Sequence, residues 1–504
     1  MMRVLAVDVG TSEARAHVMT VDGTVLARGG HRHEMTHPGP GRAEIDPDVL
    51  VASMFAAVRQ VTGHLDGVAA MCVAAELGTV FADRSGRPLG PALCWPDKRA
   101  REQAQQLREW FGRDAVFAVT GRVVDPELPA AKLLWLRENS GDAARVARVL
   151  SIKDYLVRAL TGRDTTDEVH ASYSMFFDVT SRTWSARMLD ELRVSPDLMP
   201  EVLPASATAG TVAAAAAAAS GIPAGTPVAV GGPDGSVGTV GAGLVTAGAT
   251  VDLSGTADVV FHAANRPVFD PKQAAVINAH LVPGLWAIGG PTGTTGGTLA
   301  RFADLLGFGA DPDGLARWDE AAAAVPPGAE GLACVPAMAG ERFPRWEASV
   351  RGSLFGLRMD HRSGHIARAV LEGCAYTLRA GVEVFRRLQL PVDDVVVVGG
   401  GARSPLWNEI RAAVCKLPVR TTEFGDATTL GAAVLALVCA GVQPDIPTAA
   451  ASLVRTAATT TPDPQDAHRY DRLYARYERL TDTLTEAARA WDAPGSAGDE
   501  TEEP

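Results

Sequence analysis

The sequence is poor in the features that make a disulfide scaffold, a nucleic-acid binder or a membrane protein. It has six cysteines, Cys72, Cys94, Cys334, Cys374, Cys415 and Cys439, and no two lie within four residues of each other. Close metal-ligand spacing is therefore absent. Several sit in apolar surroundings, Cys439 within Leu435 to Ala440, which reads as buried free thiols in a reducing cytoplasm. Positive charge is outnumbered, with 47 Lys and Arg against 59 Asp and Glu and a net charge of −12. A broad nucleic-acid surface needs clustered Lys and Arg, so nucleic acid is not expected as a partner. A phosphorylated ligand stays open, because backbone N–H groups and Mg²⁺ hold phosphates without a basic patch. Long apolar runs are also missing. Even a nearly uniform run such as Val212 to Ala219 is much too short to cross a bilayer, and no membrane partner is expected. Met1 to Gly10 has one Arg and then a strand-like run, without the apolar region and cleavage site of a secretory signal.

The chain does have enough apolar content for a sizeable core. Hydrophobic residues make up 47% of its 504 residues and charged residues 21%, and such a length suggests roughly two to four domains. Arg3 to Val9, Arg15 to Met19 and Val25 to Arg28 read as strands joined by tight turns, an antiparallel start to a sheet. Pro47 to Val61 has helical spacing, with Asp46 as N-cap and Pro47 at the first helical position. Val68 to Ala75 is a further strand, and the stretch from 98 to 200 is helix-rich. The pattern then begins again. Pro227 to Val230 leads into a glycine-rich turn, and Ala249 to Leu253 and Asp258 to His262 flank another turn. This second hairpin hints at an internal duplication. A boundary near Gly243 divides the chain into 1–243 and 244–490, with an acidic, disordered tail over 491–504. His365 to Leu388 reads as one long helix with a single apolar stripe, and Thr428 to Ala440 as a small-residue helix suited to close packing.

Four stretches carry candidate chemistry. In Asp8-Val9-Gly10-Thr11-Ser12, an Asp closing a strand can face a metal-bound phosphate while Gly10 lets backbone approach it. The same residues also make an ordinary hairpin turn. In Gly231-Gly232-Pro233-Asp234-Gly235, Asp234 sits where bulk is minimal and a substrate can come close; it equally suits a helix N-cap. Ser254-Gly255-Thr256-Ala257 supplies the donors of the first turn a second time. In Val395 to Ser404, three glycines after a buried strand let a ligand lie against bare backbone beside a helix start. This stretch is neither a Walker A loop nor a dinucleotide fingerprint.

In order and spacing these four pieces resemble the FGGY family of carbohydrate kinases, over nearly the whole chain. Lys132 to Trp135, Lys153 to Leu156, Gly340 to Arg342, Ala367 to Tyr376, Gly399 to Trp407 and Leu430 to Ala433 support the resemblance. It is closest to the xylulokinase-like pentulose kinases. The resemblance implies the two-domain α/β actin/Hsp70/sugar-kinase (ribonuclease H-like) fold, with a mixed sheet flanked by helices in each domain. It implies ATP and Mg²⁺ as cofactors, with Asp8 on the metal and Gly10, Thr11 and Ser12 facing the γ-phosphate. Asp234 becomes the general base. Gly255 and Thr256 hold the β- and γ-phosphates, and Gly400, Gly401 and Asn408 line the adenosine pocket. The N-terminal domain then takes the sugar and the C-terminal domain the nucleotide, closing over it. A homodimer is allowed by this reading.

The chain also departs from the family. Pentulose kinases carry a Gly-Gln-Met-His-like segment after the strand matching Val68 to Ala75, where this chain has Ala74-Ala75-Glu76-Leu77-Gly78-Thr79. Glu76 is a candidate sugar contact or an ordinary loop carboxylate. The Trp-Asn-Asp-x-Arg-like run is Trp95-Pro96-Asp97-Lys98-Arg99, which offers Trp95 and Asp97 to the sugar, or Asp97 as a helix cap. Asp234 is followed by Gly235 instead of Asn or Gln. The expected reaction is phosphoryl transfer from ATP to a small sugar, a pentulose such as xylulose. The alternatives are another ketose or polyol (ribulose, erythritol, a glycerol-like acceptor), or a non-catalytic binding sensor of the same fold.

Overall fold

Six consecutive buried residues, Val4 to Val9, form most of the first strand, Arg3–Val9. Such a run without polar alternation belongs to a strand covered on both faces. Leu5, Val7 and Val9 share a core with Leu50, Met54 and Val58 of the helix Pro47–Arg59. That helix begins as the sequence predicts, with Asp46 accepting from the Asp48 N–H and Pro47 in its first turn. The alternate strand residues, Ala6 and Asp8 among them, point the other way. The late helix Ala427–Cys439 also packs against this strand.

The computed structural model describes residues 2–491. Of the acidic tail expected over 491–504, Trp491 closes the last helix and the remainder lies outside the described residues. The chain forms two compact units that interleave in sequence. The first takes 1–247, 263–288 and 426–455; the second takes 248–262, 289–425 and 456–504.

In the first unit, Arg3–Val9 pairs antiparallel with Glu13–Thr20, which pairs antiparallel with Val25–Arg32. On its other side it runs parallel to Val68–Ala75, which in turn lies parallel to Pro227–Ala229 and Gly232–Pro233. In the second unit, Thr250–Ser254 pairs antiparallel with Ala257–Ala264 and parallel with Val395–Gly399. The sheet continues through Val419–Thr422, parallel, and Thr456–Thr460, antiparallel. Each unit therefore holds a mixed sheet built on a hairpin with a parallel neighbour, the α/β class implied by the resemblance.

One helical expectation changes and another is met. The long helix runs Ser363–Arg387, and instead of one stripe nearly every residue from Ala367 to Phe385 is buried. Helices Pro312–Ala323 and Pro405–Cys415 and the strand Ala333–Val335 all pack on it, so it has no wet face over that span. The small-residue helix Ala427–Cys439 packs against Asp234–Gly241 with backbone almost touching backbone. A Cβ on Gly431 would lie 1.9 Å from the Val237 carbonyl oxygen, and one on Gly241 would lie 1.9 Å from that of Ala427.

Candidate active site

Three carboxylates gather where parallel strands of the first unit end. Asp8 is the next-to-last residue of its strand, paired in register with Ala74, and Glu76 follows the end of Val68–Ala75. Asp234 follows Gly232–Pro233, which pairs with Ala74 and Ala75. Asp234 is the first residue of the helix Asp234–Gly241, with Pro233 before it. The N-cap alternative is thereby corrected: the helix starts one residue earlier than Gly235, and among the described residues the Asp234 carboxylate accepts only from its neighbour Gly235 N–H, at 2.6 Å.

Asp8 is buried and ion-paired to Arg15, the residue directly opposite it across the hairpin. Arg15 also donates to Asp426 at 2.8 Å. The second Asp8 oxygen, Oδ1, has no partner among the described residues. Burial pushes the Asp8 carboxyl up to about 7 against the pull of Arg15, with Asp234 and Asp426 adding to the rise. Glu76 is also buried, accepts from Thr11 Oγ1 at 3.0 Å, and leaves Oε1 unpartnered. Burial raises it to about 7, and the charge of Asp234 contributes. Burial raises Asp234 as well, opposed by the Gly235 N–H and by the charges of His170 and Arg15.

The first turn is shaped by its own bonds. Gly10 N–H donates to Glu13 O at 3.0 Å, so that donor serves the hairpin. Thr11 is half-buried and Ser12 exposed. Trp95, 43% exposed, brings its indole Nε1 to 3.4 Å from Thr11 Oγ1. Trp95 thus joins Glu76 and Thr11, while Asp97 does not. Asp97 is fully buried, and its two oxygens accept from Arg99 and from the Ala43 N–H. It holds the loop instead of facing a ligand, and it caps no helix, because the next one begins at Arg101.

A cavity in this unit is lined by Thr79, Trp95, Lys132, Asp154, His170 and Tyr173, among others. Lys132 is buried and donates to Leu93 O and Cys94 O, fixing the strand that ends just before Trp95. Burial draws its ammonium down to about 8. Beside the cavity, Lys153 is fully buried and pairs with Asp154 at 2.7 Å and Asp167 at 3.2 Å. Asp154, Asp167 and His170 lie close enough to share a cation, but the Lys153 ammonium already supplies the positive charge there. Burial works against the Asp167 anion, yet His170 and Lys153 hold its carboxyl well below the usual range.

The second unit carries the other two glycine turns. Gly255 and Thr256 are exposed at the hairpin tip after Ser254. Gly400 opens a single 3₁₀ turn, Gly400–Arg403, before the helix Pro405–Cys415, which Ser404 caps through the Trp407 N–H. One side chain ties these pieces together. Arg411, buried and stacked on Trp407, donates to Ser254 Oγ at 2.6 Å and Gly401 O at 3.0 Å. This crowding explains Gly401, where a Cβ would sit 2.2 Å from Ser254 Oγ. Asn408 is 5% exposed, donating to Ala402 O at 2.8 Å and accepting from Arg411. It braces the loop that carries Gly401.

Sequence reasoning missed Arg15, Asp426, Arg411 and His170. Arg15 was legible in principle, since hairpin register sets it opposite Asp8. Asp426 was not, lying 411 residues away from its partner.

The comparisons agree with this architecture. Residues 3–241 match the FGGY family of carbohydrate kinases, N-terminal domain, and residues 253–440 match its C-terminal domain. A xylulose kinase of Klebsiella pneumoniae is 30% identical over 448 residues, 88% of this chain and 91% of the relative. A gluconokinase of Bacillus subtilis is 26% identical over 495 residues, 95% of this chain and 96% of the relative. The crystal structure of xylulose kinase from Rhodospirillum rubrum superposes with a TM-score of 0.89 at 31% identity, covering 97% of this chain and all of that one. Both domain patterns in order, and full-length relatives in sequence and structure, establish that the chain belongs to the FGGY family of carbohydrate kinases.

Proposed function

We propose that this sugar kinase transfers the γ-phosphate of ATP to a hydroxyl of a pentulose such as xylulose, with Asp234 as general base. The observation that carries the reading is the environment of Asp234. It is a half-buried carboxylate between small residues, satisfied only by its neighbour's N–H and close to two further carboxylates. Burial raises its proton affinity, which brings a carboxylate nearer the strength a general base needs at neutral pH. Its backbone neighbours leave room for an acceptor hydroxyl to approach.

Asp8 fits a Mg²⁺ site. Its Oδ1 is buried without a partner, and an oxygen donor of this kind suits a hard cation, directly or through water. Mg²⁺, when bound, neutralises charge on the phosphates during transfer. Arg15 balances Asp8 and Asp426 and so keeps Asp8 oriented in its strand. Thr11 orients Glu76, and Lys132 holds the backbone that presents Trp95. In the second unit, the exposed tip at Gly255 and Thr256 and the loop at Gly400 and Gly401 are assigned to nucleotide phosphates and adenosine. Asn408 and Arg411 serve as their braces. Residues 1–243 then supply most of the acceptor side and 244–490 the nucleotide side, with 263–288 and 426–455 returning to the first unit. Free thiols at all six cysteines favour action in the cytoplasm. No helix among the described residues is long and apolar enough to cross a membrane.

The test is ATP turnover across a panel of ketoses and polyols, with Asp234→Asn beside the wild type. A pentulose should be the best acceptor, and the variant should lose about a thousandfold or more in kcat with nucleotide binding kept. Near-normal turnover in Asp234→Asn removes it as the base. ATP hydrolysis as fast without acceptor as with the best one removes the transfer reading.

A further inference from the structure

We propose that His170, locked in place by Asp167, reads a hydroxyl of the acceptor, and that the acceptor is an uncharged sugar or polyol and not a sugar acid. The inference rests on the kinase reading of the Asp234 site.

His170 lies on the short helix Glu168–Ser172, which packs against Gly232–Pro233, the two residues before Asp234. Its side chain lines the cavity that Trp95 and Lys132 also line. It is close enough to Asp234 for its charge to bear on that carboxyl. It is 6% exposed, and its two ring nitrogens are treated differently. Nδ1 lies 2.6 Å from Asp167 Oδ2, while Nε2 is buried and has no partner among the described residues. Asp167 is fixed in turn by the N–H groups of Val169 and His170 and by Lys153.

A carboxylate can only accept, so the Nδ1–H donates to Asp167 and Nε2 is left for a second partner. Buried polar atoms in folded proteins find partners. A sugar hydroxyl both donates and accepts, so it can pair with Nε2 in either protonation state of the ring. Two charged groups of the cavity are already occupied. Lys132 is committed to two carbonyl oxygens, and Asp154 is paired with Lys153.

The same inventory argues against an acidic acceptor. Carboxylate recognition is typically bidentate and by arginine. No arginine lines the cavity among the described residues, and the Lys132 ammonium that does is held by two carbonyl oxygens. Arg122, which lies over the Tyr173 ring, donates to Asn278 Oδ1 at 2.6 Å. Kinases of neutral sugars and of gluconate both occur among the relatives of this chain, so the distinction is a real choice within the family.

The experiment measures kcat and KM for ketopentoses, polyols and gluconate on the full chain, as wild type, His170→Ala and His170→Gln. MgATP KM is measured alongside. Neutral acceptors should exceed gluconate by at least about 100-fold in kcat/KM. His170→Ala should raise the acceptor KM about tenfold or more, with the loss falling on KM and not on kcat or nucleotide KM. His170→Gln, which can still present an acceptor oxygen, should recover part of it. Gluconate as the best acceptor overturns the proposal while leaving the kinase reading standing. So does an unchanged acceptor KM in His170→Ala, or an equal fall in every parameter, which would mark a structural role. If no acceptor turns over in the wild type, the kinase reading fails. Calorimetric binding of the same ketopentoses then tests His170 separately, and equal Kd for wild type and His170→Ala overturns it.

Discussion

Replacing Glu76 by Gln should make the unliganded protein more stable, and increasingly so as pH rises. The change keeps the shape and the oxygen that accepts from Thr11, and removes a charge that burial opposes. Glu76 titrates at about 7 in the folded chain against an ordinary 4.5. A folded pKa raised in this way means that the group's contribution is intact below its unfolded value and is lost as pH climbs through 7. Linkage puts the cost of the ionisable side chain at about 1 kcal/mol at pH 5 and about 3 kcal/mol at pH 8. Gln carries no such term. The stability difference between Glu76→Gln and wild type should therefore shift by about 2 kcal/mol in favour of the variant between those two pH values. Urea unfolding of the unliganded chain at both pH values, read as the difference in midpoint times slope, measures it. Parallel pH profiles for the two proteins would refute the reasoning, because they would mean that Glu76 gains or loses no proton on folding in this range.

Other consequences can be checked more briefly. Asp8 must be ionised to hold a cation, and it titrates at about 7, so half-saturating Mg²⁺ in the kinase assay should rise as pH falls below neutrality. Asp8→Asn should need about tenfold more Mg²⁺ and lose that pH dependence; an unchanged Mg²⁺ profile counts against the metal role. Gly431→Ala places a methyl 1.9 Å from Val237 O and should cost about 1–3 kcal/mol in urea stability, or more where the helices cannot part. Because the helix it displaces begins with Asp234, kcat should fall with it. Gly401→Ala, crowded by Ser254 and Arg411, should raise the KM for ATP while leaving the acceptor KM near wild type; the opposite pattern would detach this loop from the nucleotide.

Much of the fold was legible because its signals are local. The hairpin from Arg3 to Thr20, the strand Val68–Ala75 and the helix capped by Asp46 all follow from turn residues, apolar runs and capping within a few positions. The glycine turns at Gly10, Gly255 and Gly400 were visible for the same reason. The expected single stripe on Ser363–Arg387 did not hold, because the burial of a helix depends on how many neighbours surround it, and its own periodicity does not report that number.

The site divides along the same line. Residue type and spacing marked Asp8 and Asp234, since carboxylates beside glycine at strand ends are a local pattern, whereas Glu76 and Trp95 came from setting the chain against the family's motifs. Whether a marked residue is available to a ligand is a matter of its distant neighbours, and only the tertiary structure decided that. Asp97 is taken up by Arg99 and Ala43, and Asn408 by Ala402 and Arg411, whereas Asp8 and Glu76 each keep one buried oxygen without a partner. The helix Ala427–Cys439, which brings Asp426 to Arg15, reaches the first unit after an excursion of the chain through the second. Hydrogen-bonding capacity is written in each residue, but its use is settled by partners that only folding brings within 3 Å or so of each other.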